Sequence, residues 1–225
     1  MKKMIILIIV LFLCGCTSNK PDFTMSAPEL STLYDDNEIE ASLTYDDKTI
    51  RVDGYVSNIY GNKNEVNITM YPDVIVLVND KIEDTVDIED GAYLVVQGTL
   101  GKDMYGRSTL YDSTIIEFEN LPDAKYSMSI EDFINELEEN EELTKEKYLY
   151  SFIEITGKAY ENWYGGDYIT VSVLDHGGGG NIEVYFTDPI VDAIQNNSEI
   201  TIVGLFVNYN SWGDFSTFEY CRLVD

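Results

Sequence analysis

The chain has 225 residues, 44% of them hydrophobic, with 41 acidic against 14 basic side chains and a formal charge of −27 at pH 7. That apolar share suffices for packed cores and excludes a disordered chain. The charge excludes a broadly basic surface of the kind that tracks nucleic-acid phosphates, and it favours cations and basic partners.

The N-terminus reads Met1-Lys2-Lys3, an apolar run from Met4 to Leu13, then Cys14-Gly15-Cys16. A basic start, an apolar core short for a bilayer span and small residues before a break define a secretory signal. The ending Leu13-Cys14-Gly15-Cys16 resembles the bacterial lipobox. That resemblance implies cleavage after residue 15, diacylglyceryl and palmitate on Cys16, and a polar tether over residues 16–24. The expected location is the cell membrane, lipid-anchored, on its extracytoplasmic face. With Cys14 removed and Cys16 acylated, only Cys221 remains, so no intrachain disulfide is expected.

Beyond the tether the chain repeats itself. Met25-Ser26 returns as Met128-Ser129, and the same spacing relates Asn37, Glu38, Tyr45, Ile50 and Gly54 to Asn140, Glu141, Tyr148, Ile153 and Gly157. A period of about 100 residues is too long for a solenoid unit and suits a domain with its own core. The expected organisation is a first module over residues 25–120, a linker over 121–127 and a second module over 128–225.

Each copy opens with a helix signal. Ser26-x-x-Glu29 and Ser129-x-x-Asp132 are capping-box patterns with an acid in the first turn. Ile130, Phe133, Ile134 and Leu137 form a buried stripe at helical spacing; Ala27, Leu30, Tyr34 and Ala41 make a weaker one. Strands follow. Ile50, Val52, Gly54 and Val56 alternate with polar residues, as do Ile153, Ile155, Gly157 and Ala159. The mid-strand glycine is expected to let the strand bend as a small barrel closes. Further strands are expected at 66–70 and 74–80, then 93–98 and 108–116, with counterparts at 169–173, 182–188, 199–204 and 216–224. Short helices are expected at Ile82–Asp90 and Pro189–Asn196.

The order helix, three strands, short helix, two strands is that of an OB barrel. The predicted fold is mainly β with short helices (α+β): two tandem five-stranded OB-like barrels, each preceded by an α-helix. From Met25 to Gly54, the run Ser26-Ala27-x-Glu29-Leu30, Asn37-Glu38, Ala41 and Ile50-x-Val52-x-Gly54 is similar to the tRNA-anticodon-like OB family of bacterial envelope proteins. Gly98 fits that family's fourth strand. The resemblance covers the first copy well and the second less well, and it implies the fold.

OB barrels bind ligands on the second and third strands, framed by the loops between strands one and two and strands four and five. Those loops are aromatic here, with Tyr60 and Tyr105 in the first copy and Trp163, Tyr164, Tyr209 and Trp212 in the second. Two readings fit: a stacking surface for a planar ring, sugar or peptide side chain, or a plug and inter-module contact. The loops supply Lys63, Lys102 and Arg107 in copy one and no cation in copy two, so nucleic acid is an unlikely partner.

No calcium-loop spacing occurs, and His176 stands in a glycine-rich loop without neighbouring metal ligands, so no metal is expected. No catalytic or cofactor motif is present. The expectation is a non-catalytic, membrane-anchored binding or interaction module for an envelope protein or small ligand. Alternatives are single-stranded nucleic acid or oligosaccharide on the OB face, or an accessory or inhibitory subunit of an envelope enzyme.

Overall fold

The computed structural model describes residues 20–79, 82–160, 168–172, 181–186, 194–210 and 215–224. Cys16, Trp163, Tyr164, His176, Trp212 and most of the expected Pro189–Asn196 helix lie outside these residues.

In the first module β1 (Phe23–Ser26) leads into α1 (Ala27–Tyr45). The barrel strands are β2 (Thr49–Asn62), β3 (Glu65–Met70), β4 (Val74–Val78), β5 (Tyr93–Lys102) and β6 (Ser108–Glu119). They run β2-β3-β4-β6-β5, with β4 and β6 parallel, and β5 closes on β2. This is OB topology. The second module repeats it with β7 (Tyr126–Ser129), α2 (Ile130–Glu139), α3 (Glu141–Tyr148), β8 (Phe152–Tyr160), β9 (Tyr168–Ser172), β10 (Asn181–Phe186), β11 (Glu199–Asn210) and β12 (Phe215–Leu223). There β10 and β12 are parallel, and β11 closes on β8.

Alternation produces the barrels. Ile50, Val52, Gly54 and Val56 of β2 are buried while Arg51, Asp53 and Tyr55 between them are only half-buried. The second core is aromatic where the first is aliphatic. Leu30, Leu100 and Leu110 correspond to Phe133, Phe206 and Phe218, whose rings meet at 5.2–5.5 Å. Correlated exchange of three leucines for three phenylalanines explains why the copies diverge in sequence yet keep one topology.

Both helices start where the caps placed them. Ser26 accepts from the Glu29 amide at 3.3 Å, and Ser129 from the Asp132 amide at 3.1 Å. All eight predicted stripe residues are buried. The repeated asparagine has a function invisible in the sequence. Asn37 (φ −156°, ψ 83°) kinks α1 and its side chain caps the Glu40 amide at 3.2 Å. Asn140 (φ −160°, ψ 89°) ends α2 and caps the Leu143 amide of α3 at 3.1 Å. Each helix is therefore two segments turned at one asparagine.

Three features differ from the sequence expectation. Each module begins with a short strand, β1 or β7, lying parallel to its first barrel strand, and these were too short to carry a period. The expected helix at Ile82–Asp90 contracts to a single 3-10 turn, Ile82–Thr85. Gly54 serves close approach more than bending: a Cβ there would meet Ala27 Cβ at 2.9 Å and Met70 Cε at 3.1 Å.

The modules meet through an aromatic seam. Phe152 and Leu205, on the outer face of the second barrel, are fully buried with Val203 against Tyr55 and Tyr71 of the first. The Tyr55 ring lies 5.3 Å from Phe152, and Tyr71 stacks on Tyr150 at 5.8 Å. Tyr220 is held in the left-handed region (φ 52°) beside a bulge in β12, as Asp112 (φ 49°) is in β6. The bulge sends the Tyr220 ring onto Gly91 and its hydroxyl to the Ser57 carbonyl at 2.9 Å.

Candidate functional site

The first barrel's rim is built by two hairpins. At the tip of β2–β3, Tyr60 pairs with Asn67 and Gly61 with Val66; a Cβ on Gly61 would strike the Glu65 carbonyl and the Val66 backbone. At the tip of β5–β6, Asp103 folds a tight turn. Its carboxylate accepts from the Tyr105 amide at 2.8 Å, the Arg107 amide at 2.9 Å and Arg107 Nε at 2.9 Å. Gly106 (φ 82°) supplies the left-handed residue in open space.

This turn fixes an arginine beneath a tyrosine. Arg107 Nη2 lies 2.8 Å from Asp103, and its guanidinium sits 5.5 Å from the Tyr105 ring centre. The bond to Asp103 holds the guanidinium above its usual range, with Asp73 and Tyr60 also within electrostatic reach. Asp103 in turn sits below the usual carboxylate range: burial, the largest single contribution, raises it, but two backbone amides and the Arg107 side chain together outweigh that. Tyr105 thus packs on the arginine, and Tyr60, far away in sequence, lies within its electrostatic reach.

The rim is open. Tyr60 is 49% exposed, Tyr105 77% and Met104 86%. Three large apolar side chains so placed form a patch able to cover a flat ligand face. Two nearby cations are already engaged. Lys102 lies 3.9 Å over the Tyr34 ring and 3.6 Å from Glu38, and Arg107 is committed to Asp103.

Of the six aromatic residues picked from the sequence, Tyr60 stands on the β2–β3 hairpin and Tyr105 on the β5–β6 turn, both exposed. Tyr209 stands on β11 opposite Ser216, its side chain outside the described set, as are Trp163, Tyr164 and Trp212 altogether. Among the described residues, the inter-module contact uses Tyr55, Tyr71, Tyr150, Phe152 and Tyr220. A signal for it existed. Phe152-Ile153 and Val203 to Phe206 break the polar–apolar alternation, so both faces of β8 and β11 had to be covered.

With strand order and rim established, comparison with known proteins becomes informative. Residues 1–99 match the tRNA_anti-like family. The match runs from the N-terminus into β5 of the first barrel, and the second barrel repeats the strand order outside the matched span. No curated protein matches the chain. Among solved structures, a Klebsiella pneumoniae lipoprotein described as a candidate nucleic acid-binding protein is 19% identical, covering 44% of this chain and 91% of its own, with a TM-score of 0.34. Fission yeast Pot1 with single-stranded DNA is 10% identical, with coverages of 88% and 94% and a TM-score of 0.30. Tetrameric p202 HIN2 is 13% identical, with coverages of 79% and 91% and a TM-score of 0.26. Likenesses this weak say nothing of a ligand for this chain.

Proposed function

We propose that this tandem OB protein is a lipid-anchored, extracytoplasmic recognition module, held at the cell membrane by acylated Cys16. The rim of its tRNA_anti-like barrel receives an envelope protein segment or small ligand by stacking on Tyr60 and Tyr105. One observation carries the reading: exposed Tyr105 packs on an arginine locked by Asp103, in the hairpin where OB barrels present a ligand loop, and exposed Tyr60 stands on the other such hairpin. The role is non-catalytic. Arg107 is neutralised in place and serves to hold a ring, not to move a proton.

Single-stranded nucleic acid is the second reading, since a stacking platform ringed by Lys63, Lys102 and Arg107 is the needed arrangement. Against it, Glu38 and Asp103 already balance two of those three cations.

A photo-reactive residue at position 105, compared with one at exposed Asp36 on α1, tests the reading in intact cells. A discrete adduct at 105 alone is expected; the same adducts at both positions would overturn the rim assignment. Substituting Cys16→Ser should release the protein from the membrane, and continued membrane retention would refute the anchor. A mobility shift with single-stranded DNA at physiological salt, abolished by Tyr105→Ala, would promote the second reading over the first.

A further inference from the structure

A cavity of about 560 Å³ opens where the two modules meet, on a different part of the molecule from the rim. Each module contributes to it. Glu89 and Asp90 come from the segment before β5, Tyr185 and Phe186 end β10, and Glu219 and Tyr220 lie on β12. We propose that this cavity is a binding site for an alkyl cation of the ammonium or guanidinium class, its apolar stem against the three aromatic rings and its charged head among the three carboxylates.

Size and position come first. Ligand cavities of roughly 300–1,000 Å³ concentrate at domain junctions, and this one falls within that range. An extended arginine side chain fits it with space to spare.

Chemistry then selects the occupant. Aromatic faces carry negative potential and attract a cation laid over them. The carboxylates act in the same direction, and among the described residues none of the three pairs with a lysine or arginine. The Tyr71 hydroxyl donates to Glu219, which orients that carboxylate without neutralising it. Partial burial lifts the Asp90 carboxyl, against a bond from the Ile59 amide, so a positive charge placed there would be welcome. An anionic ligand would face three like charges. A neutral one would strip water from the carboxylates with nothing in return.

The wall is also preorganised. Tyr220 is fixed by the bulge, by Gly91 beneath its ring and by its bond to Ser57, so little ordering remains to be lost on binding. Tandem duplication creates the site, because neither barrel alone supplies all of its lining residues. The cation can come from a free amine or from a basic side chain on a protein, and the test separates the two.

Isothermal titration of the full-length protein with agmatine, and separately with doubly capped Gly-Arg-Gly, should give saturable one-to-one binding. Glu89→Gln with Asp90→Asn should weaken it about tenfold or more. Asp35→Asn with Asp36→Asn, which removes the same charge from exposed positions on α1, should leave it unchanged. Tyr105→Ala should also leave it unchanged, which separates this site from the rim. Tighter binding of the peptide assigns the site to a basic protein segment; equal or tighter binding of agmatine assigns it to a free amine. Absence of saturable binding to either probe, or equal weakening in the α1 control, overturns the proposal. The Glu89/Asp90 variant should retain the parent melting temperature, since both residues are exposed and their replacements isosteric.

Discussion

The Tyr71 hydroxyl, just past β3 in the first barrel, donates a hydrogen bond to the Glu219 carboxylate on β12 of the second. The same ring stacks on Tyr150 and meets Tyr220 edge-on at 6.4 Å. One side chain therefore joins the modules by polar and apolar contacts at once. Replacing Tyr71 by Phe should cost about 2 kcal/mol, the usual net worth of a hydrogen bond to a charged group. Tyr71→Ala should cost about 3 kcal/mol, because the stacked ring is lost too. Urea unfolding checks both, and the Ala variant should split a single transition into two.

Gly91 and Gly106 offer a controlled comparison. Both have a left-handed backbone, φ 83° and φ 82°. A Cβ on Gly91 would lie 2.6 Å from the Tyr220 ring, whereas one on Gly106 meets nothing within 4 Å. Gly106→Ala should cost about 1 kcal/mol from backbone strain alone. Gly91→Ala should cost at least about 2 kcal/mol, since Tyr220 must also move. Equal costs would mean that the Tyr220 contact is unimportant.

Helix caps should behave alike in both copies. Ser26→Ala and Ser129→Ala should each destabilise by about 1 kcal/mol. Asn37→Ala and Asn140→Ala should cost a similar amount and speed amide exchange at Glu40 and Leu143, whose N–H groups the asparagines cap. Exchange measured by NMR tests this residue by residue.

Stability should fall in alkali. Burial, followed by the Asp53 carboxylate, pushes the Tyr93 hydroxyl up to about 12, and burial also raises Tyr55, Tyr71, Tyr150 and Tyr220. Below pH 10 these groups are neutral in both folded and unfolded chains, and their contribution is complete. Above pH 10 the unfolded chain ionises first, so stability declines as pH rises toward and past 12. Discounted for partial exposure, the loss by pH 11 should be on the order of 1–2 kcal/mol. Urea midpoints at pH 8 and pH 11, with tyrosinate absorbance followed alongside, measure it.

Much of this was readable because it is local. Capping serines and alternating strands depend on neighbours a few residues away, and the duplication is a direct match of residue identities, so the sequence carries all three. The asparagine kinks were visible as matched residues, but their geometry was not, since an asparagine caps or turns according to the backbone around it. At the rim, the tyrosines were legible from loop position. The packing of Tyr105 on Arg107 depends on the turn that Asp103 folds.

By itself the sequence determined that two copies of one OB strand order exist, where each helix starts, and which face of each strand is inner. Those follow from period, capping chemistry and local burial. Only the tertiary structure decided that the second barrel's outer face is a seam, that a bulge throws Tyr220 across it, and that seven residues from distant segments wall one acidic, aromatic cavity. An outward side chain is buried or exposed according to what another domain places against it, and no local pattern encodes that partner.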